Sequence, residues 1–300
     1  MPNFYKKYFY RSLYFISFNE VASLIFADKF RSMSFLKDKV VVITGGSEGI
    51  GKALVEMSLR AGAKVATCSR SHDKLYMLQK LFPGKPLHTL VTDVSNQNEC
   101  KTFIDSTIKY FGKIDILINN AGISMRALVI DSDIAAFEKV MNINFWGTVY
   151  CTKFALPSII ENRGSVVGIS SIVGYRGTPG RSAYSASKFA MQGFLESLRV
   201  EMMHHHVNVL WVSPGFTTTG IRSTALNAEG KSIGETPMDE SKLMSAEECA
   251  GYVIQAIEKR KRSMVLTLLG KATVVVNKFF PGFVDHYTKR FFFKDGKLIK

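Results

Sequence analysis

From Val40 onward, short uninterrupted apolar runs alternate with segments whose apolar positions recur every three to four residues. "VVVIT" (40–44) leads into "IGKALVEMSLRAG" (50–62), then "KVATCSR" (64–70) and "HTLVTDV" (88–94). "ECKTFIDSTIKYFG" (99–112), "IDILINNAG" (114–122) and the long "DIAAFEKVMNINFWGTVYCTKFALPSII" (133–160) follow. "GSVVGISS" (164–171), a helical stretch around Tyr184, "VNVLWVSPG" (207–215), "SAEECAGYVIQAIEKR" (245–260) and "SMVLTL" (263–268) complete the series. Apolar runs bounded by glycine predict strands buried on both faces, and the 3.6-residue periods between them predict helices. Helices between strands imply right-handed parallel crossovers. The expected fold class is therefore α/β, a single-domain doubly wound parallel sheet with a C-terminal helical extension. Such a sheet places ligands at the carboxyl ends of its strands.

The pattern divides the chain into an N-terminal extension (1–35), a central α/β domain (36–268) and a C-terminal extension (269–300). One long polar stretch, 217–245, interrupts the alternation. A loop of that length in a compact domain is usually a lid or a binding loop.

Composition adds compartment and surface. The chain has 300 residues, 46% of them apolar, enough for one large α/β core. Cys68, Cys100, Cys151 and Cys249 are scattered without a CxxC, which predicts reduced thiols in a cytoplasmic protein. Net charge is +14, and more than half of it lies after Ile257, where eleven Lys/Arg face Glu258, Asp285 and Asp295. There, basic residues are interleaved with Phe279, Phe280 and the Phe291–Phe293 run. This suits peripheral contact with an anionic membrane surface. The competing reading is a docked helix whose aromatics are core. No recognition motif accompanies the charge, so nucleic acid is not expected as a partner.

The N-terminal "YFYRSLYFISFNEVASLIFADKF" is broken by Arg11 and Glu20 and offers no uncharged span of about 20 residues. Lys6 and Lys7 before "SLYFISF" imitate a signal peptide, but no small-residue cleavage site follows. Met1–Ser32 add nothing to the alternation. They are expected to be dispensable, with Met33 opening the working sequence; an interfacial anchor is the alternative.

Two stretches carry chemistry. "TGGSEGIG" (44–51) leaves the first strand and opens a helix. Gly45 permits a tight turn, Gly49 lets backbone amides approach a pyrophosphate, and Gly51 allows close helix–strand packing. The helix N-terminus supplies the positive pole. In "YSASK", Tyr184 and Lys188 stand at i and i+4 and so share a helix face. An ammonium beside a phenol favours the phenolate and lowers the tyrosine pKa, as a proton donor to a carbonyl oxygen needs. Three consecutive histidines, His204–His206, cannot all aim one way. They suit a helix C-terminus better than a metal site.

TGxxxGxG, "NNAG" (119–122), "SSIVGYRGTPGRSAYSASK" (170–188) and "SPGFTTT" (213–219), in this order, resemble the short-chain dehydrogenase/reductase family across residues 36–268, in particular its branch of membrane-associated lipid and steroid reductases. The resemblance implies a Rossmann fold and a nicotinamide-dependent carbonyl reductase or alcohol dehydrogenase. It makes Tyr184 the acid/base and gives Lys188 the tasks of lowering its pKa and holding the nicotinamide ribose. Ser171 would bond the substrate oxygen, and Asn144, in "NINFWG", would hold a proton-relay water. For the cofactor it implies Thr44, Gly45, Ser47, Gly49, Ile50 and Gly51 at the phosphates, and Asp93 and Val94 at the adenine. Asn120, with Ala121 and Gly122, would meet the adenosine-side ribose; Pro214, Gly215 and Thr219 would reach the nicotinamide end.

The second strand ends in Ser69 and Arg70, where an NAD enzyme of this family usually carries a carboxylate. A guanidinium there suits a 2′-phosphate, so NADP(H) is the expected cofactor. Glu48 dissents, standing where NADP-preferring relatives often have a basic residue. Arg126 and Arg181 flank the implied pocket, open to an anionic head group or to solvent. The expected substrate is a hydrophobic ketone or its alcohol, lipid-like or steroid-like, and the expected assembly a homo-oligomer. The alternative is a non-catalytic NADP-binding regulator on the same fold. An epimerase or dehydratase would normally need a larger substrate domain after Pro214.

Overall fold

The computed structural model describes residues 34–235 and 243–299; the expectations for Met1–Ser32 lie outside them. Seven parallel strands form one sheet: β1 (Val40–Thr44), β2 (Lys64–Ser69), β3 (Leu87–Val91), β4 (Ile116–Asn119), β5 (Ser165–Ile169), β6 (Asn208–Ser213) and β7 (Ser263–Val265). Their spatial order is β3-β2-β1-β4-β5-β6-β7. Order reverses between β1 and β4, which opens a crevice at their carboxyl ends.

Strand periodicity divides the core into two layers. Val41, Ile43, Val65, Ile116, Ile118, Val167, Leu210 and Val212 face one side, where α1 (Gly49–Arg60) and α7 (Ala246–Glu258) pack. Val42, Ala66, Leu117, Val166, Val209 and Trp211 face the other, against α3 (Gln97–Phe111), α5 (Gly147–Glu161) and α6 (Ser182–Glu201). The remaining helices are α2 (His72–Leu81), beside β2 and β3, and α4 (Ile134–Met141). Strands β1, β4, β5 and β6 are buried along their whole length. This is why they read as continuous apolar runs rather than alternating ones. All four cysteines are free and buried.

Two departures from the sequence pattern matter for function. The segment 133–160, continuous by periodicity, is split by a π-helical turn, Asn142–Trp146, between α4 and α5. Such turns rotate the side chains that follow out of the regular face. The C-terminal region forms a helical hairpin, α8 (Leu268–Phe279) and α9 (Pro281–Phe292), followed by a short two-stranded ribbon. Arg176, in the loop between β5 and α6, fastens that hairpin. Its guanidinium donates to Asn277 Oδ1 at 3.3 Å and to Asp285 Oδ1 at 2.5 Å. Asn277 Nδ2 donates back to the Tyr175 carbonyl at 3.2 Å.

Candidate active site

At the carboxyl edge of the sheet lies a cavity of about 1360 Å³. That exceeds the usual volume for one small ligand, so there is room for a dinucleotide and a substrate side by side. One end is built by the glycine loop between β1 and α1. Gly45 has φ +69°, and a Cβ there would sit 2.9 Å from Ala121 Cα. A Cβ on Gly51 would run into the Gly45 carbonyl and the Asn120 amide. Both positions need glycine, and the concavity they leave fits a diphosphate.

Thr44 Oγ1 accepts from the backbone amides of Asn120 and Ala121 at 3.0 Å, and Asn120 Nδ2 donates to the Thr44 and Gly45 carbonyls. Thr44 is therefore buried beneath the loop and does not line the cavity. Asn120 lines it, but its amide nitrogen is engaged in holding the loop instead of being free for a ribose. Gly45, Ser47, Gly49, Ile50, Gly51, Ser69, Arg70, Asp93, Val94, Ala121, Gly122, Pro214, Gly215 and Thr219 all line it. Glu48 is paired with Lys74 Nζ at 2.6 Å, so its charge is countered from the first turn of α2. Lys74 was not legible as a site residue because only the tertiary fold brings α2 to the glycine loop.

Tyr184 and Lys188 lie in the first two turns of α6, both buried, and Ser171 follows β5. Burial raises the Tyr184 phenol above its ordinary pKa, against the opposing pull of the neighbouring Ser171 hydroxyl and the cationic field of Arg181. Lys188 Nζ donates to the Ile169 carbonyl at 2.8 Å and stands 5.7 Å from the Tyr184 ring centroid. Burial pushes its pKa down to about 8.

Lys188 thus reaches past the Tyr184 ring to the end of β5, and Arg181 adds a second cation near the phenol.

Asn144 is buried in the π-helical turn. Its Nδ2 donates to the Ile123 carbonyl and to Ser187 Oγ at 2.9 Å, while its Oδ1 accepts from Ile123 N at 2.8 Å. It stitches the β4 loop to α6 and approaches Lys188 across Gly122, whose Cβ would lie 3.2 Å from Asn144 Oδ1 and 3.5 Å from Lys188 Nζ.

The other end of the cavity is lined by Val173, Thr178, Arg181, Leu226, Leu269 and Val276, among others. The polar insertion after β6 wraps this end, with Leu226 N donating to the Ser124 carbonyl and Arg126 N to Leu226 O. Arg126, expected to flank the pocket, does not line it; Arg181 does. Of the expected C-terminal aromatics, Phe279 and Phe280 are exposed, at 66% and 65%. Phe291–Phe293 are instead partly buried, and Phe291 and Phe292 line the cavity. Among the described residues no group of His, Cys, Asp and Glu is placed to hold a metal, and none of their helices is long and apolar enough to cross a membrane.

A family model described as short chain dehydrogenase matches residues 39–230. Dehydrogenase/reductase SDR family member 7B of Xenopus tropicalis is 35% identical over 264 residues, covering 84% of this chain and 85% of that protein. An 11-beta-hydroxysteroid dehydrogenase-like 4A of Arabidopsis thaliana is 39% identical over 229 residues, 74% of each chain. A solved short chain dehydrogenase/reductase of Burkholderia phymatum, in complex with NAD, superposes with a TM-score of 0.73 at 23% identity. It covers 83% of this chain and 96% of its own. The chain belongs to the short-chain dehydrogenase/reductase family of oxidoreductases, whose members bind a nicotinamide dinucleotide.

Proposed function

We propose that the protein is an NADP(H)-dependent carbonyl reductase acting on hydrophobic ketones, lipid-like or steroid-like, and on their alcohols in reverse. The observation that carries this reading is the convergence of Ser171, Tyr184 and Lys188 on one cavity whose far end presents Val173, Leu226, Leu269 and Val276. The glycine cradle would hold the diphosphate, and Arg70, beside Ser69 and Ser71 at the end of β2, would pair with a 2′-phosphate. When bound, the dinucleotide supplies the hydride that reaches the carbonyl carbon.

The chain's own residues manage the oxygen. Ser171 Oγ and the Tyr184 hydroxyl, which line the same cavity as neighbours, can both donate to a carbonyl oxygen. A phenol raised by burial stays protonated at neutral pH, which suits the acid of a reduction. It gives its proton to the oxygen as negative charge develops there. Lys188, at about 8, exchanges protons near neutral pH and sits within one glycine of Asn144. It is placed to restore the phenol's proton through a relay. Exclusion of water by the insertion after β6 and by α8–α9 strengthens these contacts.

The exposed Leu268, Phe279 and Phe280, with Lys271 and Lys278 on the same helix, support peripheral association with an anionic membrane. A hydrophobic substrate would be drawn from that surface.

The test is oxidation of NADPH and of NADH against a panel of ketones that includes long-chain ones. Turnover with NADPH preferred supports the reading. Tight dinucleotide binding with no turnover across the panel favours the non-catalytic regulator.

A further inference from the structure

Thr267, immediately before α8, is the one β-branched residue with a positive φ among those described, at φ 63° and ψ 144°. A branched side chain avoids that conformation, which persists only where the surroundings impose it. Leu266 N donates to the Ser213 carbonyl at 3.0 Å just ahead of it, and Thr267 Oγ1 accepts from Gly270 N at 3.1 Å just behind. A Cβ on Gly215 would lie 2.9 Å from Thr267 Oγ1, so the threonine side chain rests on the turn after β6. The first turn of α8 is thereby fixed to the end of β6.

That turn bears on the residue after Ser171. A Cβ on Gly270 would lie 2.6 Å from Ile172 Cδ1 and 3.3 Å from its Cγ1, closer than side chains pack. Ile172 opens a short helical turn, Ile172–Gly174. Val173 N donates to Ser171 Oγ at 3.4 Å, and Gly174 N to the Ser171 carbonyl at 3.0 Å. The other side of the turn is filled as well, since a Cβ on Gly174 would collide with Gln192 Nε2 on α6. Ile172 N adds a bond to the Pro214 carbonyl at 3.3 Å. Ser171 and its turn are clamped between α6, the end of β6 and α8. Close-packed interiors transmit displacement instead of absorbing it.

We propose that the first turn of α8 is a positioning element of the active site: Gly270, held in place by Thr267, bears on Ile172 and so sets where Ser171 presents its hydroxyl. Gly270 needs no contact with the reacting atoms for this. Ser171 and the Pro214–Gly215 turn are held at one spacing by a segment of the C-terminal region. That region then governs turnover of every ketone, including those too small to reach the hairpin.

The proposal rests on the reductase reading, and its test separates the two. Gly270→Val should lower kcat by roughly 10- to 100-fold even for acetone, the cost of a misplaced catalytic group, with dinucleotide affinity and Tm little changed. Adding Ile172→Ala makes room, so the double variant should match Ile172→Ala alone. Should Gly270→Val not fold, Gly270→Ala presses on the same side chain with a smaller group and enters the same cycle.

A second readout needs no turnover. In protein bearing 3-fluorotyrosine, the fluorine resonance of residue 184 is assigned by its loss in Tyr184→Phe. It reports on the neighbouring Ser171 hydroxyl, which opposes the rise that burial imposes on the phenol. Gly270→Val should shift that resonance and raise its titration, and Ile172→Ala should return both. An unchanged kcat, an unmoved resonance, a loss that persists with Ile172→Ala, or a fall in Tm that tracks kcat overturns the proposal. If the unaltered protein reduces no ketone while the resonance responds in this way, the reductase reading fails and the positioning contact stands.

Discussion

The two ends of the cavity are built on different principles. The dinucleotide end is almost all backbone: glycines 45 and 51 leave space, Thr44 and Asn120 lock the loop from below, and a helix N-terminus points in. Its partners lie close together in sequence or in adjacent strands. The substrate end is side chains gathered from afar, from α6, the insertion after β6 and the α8–α9 hairpin, which Arg176 and Asn277 fasten to the loop before α6. A site made of backbone accepts one ligand and little change. A site made of converging side chains can be re-specified without disturbing the sheet. The proposed catalytic residues Ser171, Tyr184 and Lys188 sit at the seam, with Asn144 joining the loop after β4 to α6 beside them.

The sharpest way to probe the seam is Tyr184→Phe, which removes the proton donor and keeps the ring. Turnover should fall by roughly 10²–10⁴, with dinucleotide affinity little changed. Substantial residual kcat would mean that the acid is elsewhere.

On the dinucleotide end, Arg70→Ala should weaken NADPH by roughly 10- to 100-fold and NADH far less, as expected for one charge-assisted bond to a phosphate. Parallel titrations of both cofactors read this out. Equal losses would place the preference outside β2.

At the substrate end, Leu268, Phe279 and Phe280 stand out from the hairpin and line no part of the cavity. Replacing all three by Ser should reduce partitioning to anionic liposomes by about tenfold or more. Sedimentation with vesicles at low salt measures it, and unchanged partitioning would assign the exposed face to another role.

The smallest effect is thermodynamic. Burial pushes the Lys188 ammonium down to about 8 from its ordinary 10.5. The unfolded chain therefore binds the proton more tightly than the folded one. Below pH 8 this opposes folding by ~3 kcal/mol, and the penalty fades as pH rises from about 8 to 10.5. Lys188→Met should lose activity yet gain a few degrees in Tm at pH 7, after allowance for the lost bond to the Ile169 carbonyl. It should also lack the alkaline rise in stability that the lysine gives the unaltered protein. Melting curves across pH 7–10 decide.

What the sequence determined by itself was whatever depends on local spacing. Continuous apolar runs mark buried parallel strands. The glycine trio marks the phosphate cradle, and the i, i+4 tyrosine and lysine mark one helix face. These are properties of a few consecutive residues and hold wherever the segment folds. Tertiary structure decided what depends on where distant segments meet. It turned Lys188 toward Ile169 and added Arg181 as a second cation near the phenol. It brought Lys74 to Glu48, broke a long helical period with the π-helical turn that aims Asn144, and folded the C-terminal hairpin over the cavity. Burial and electrostatic field are sums over neighbours from the whole chain. No window of sequence contains them, and for that reason the chemistry of the site was legible while its electrostatics were not.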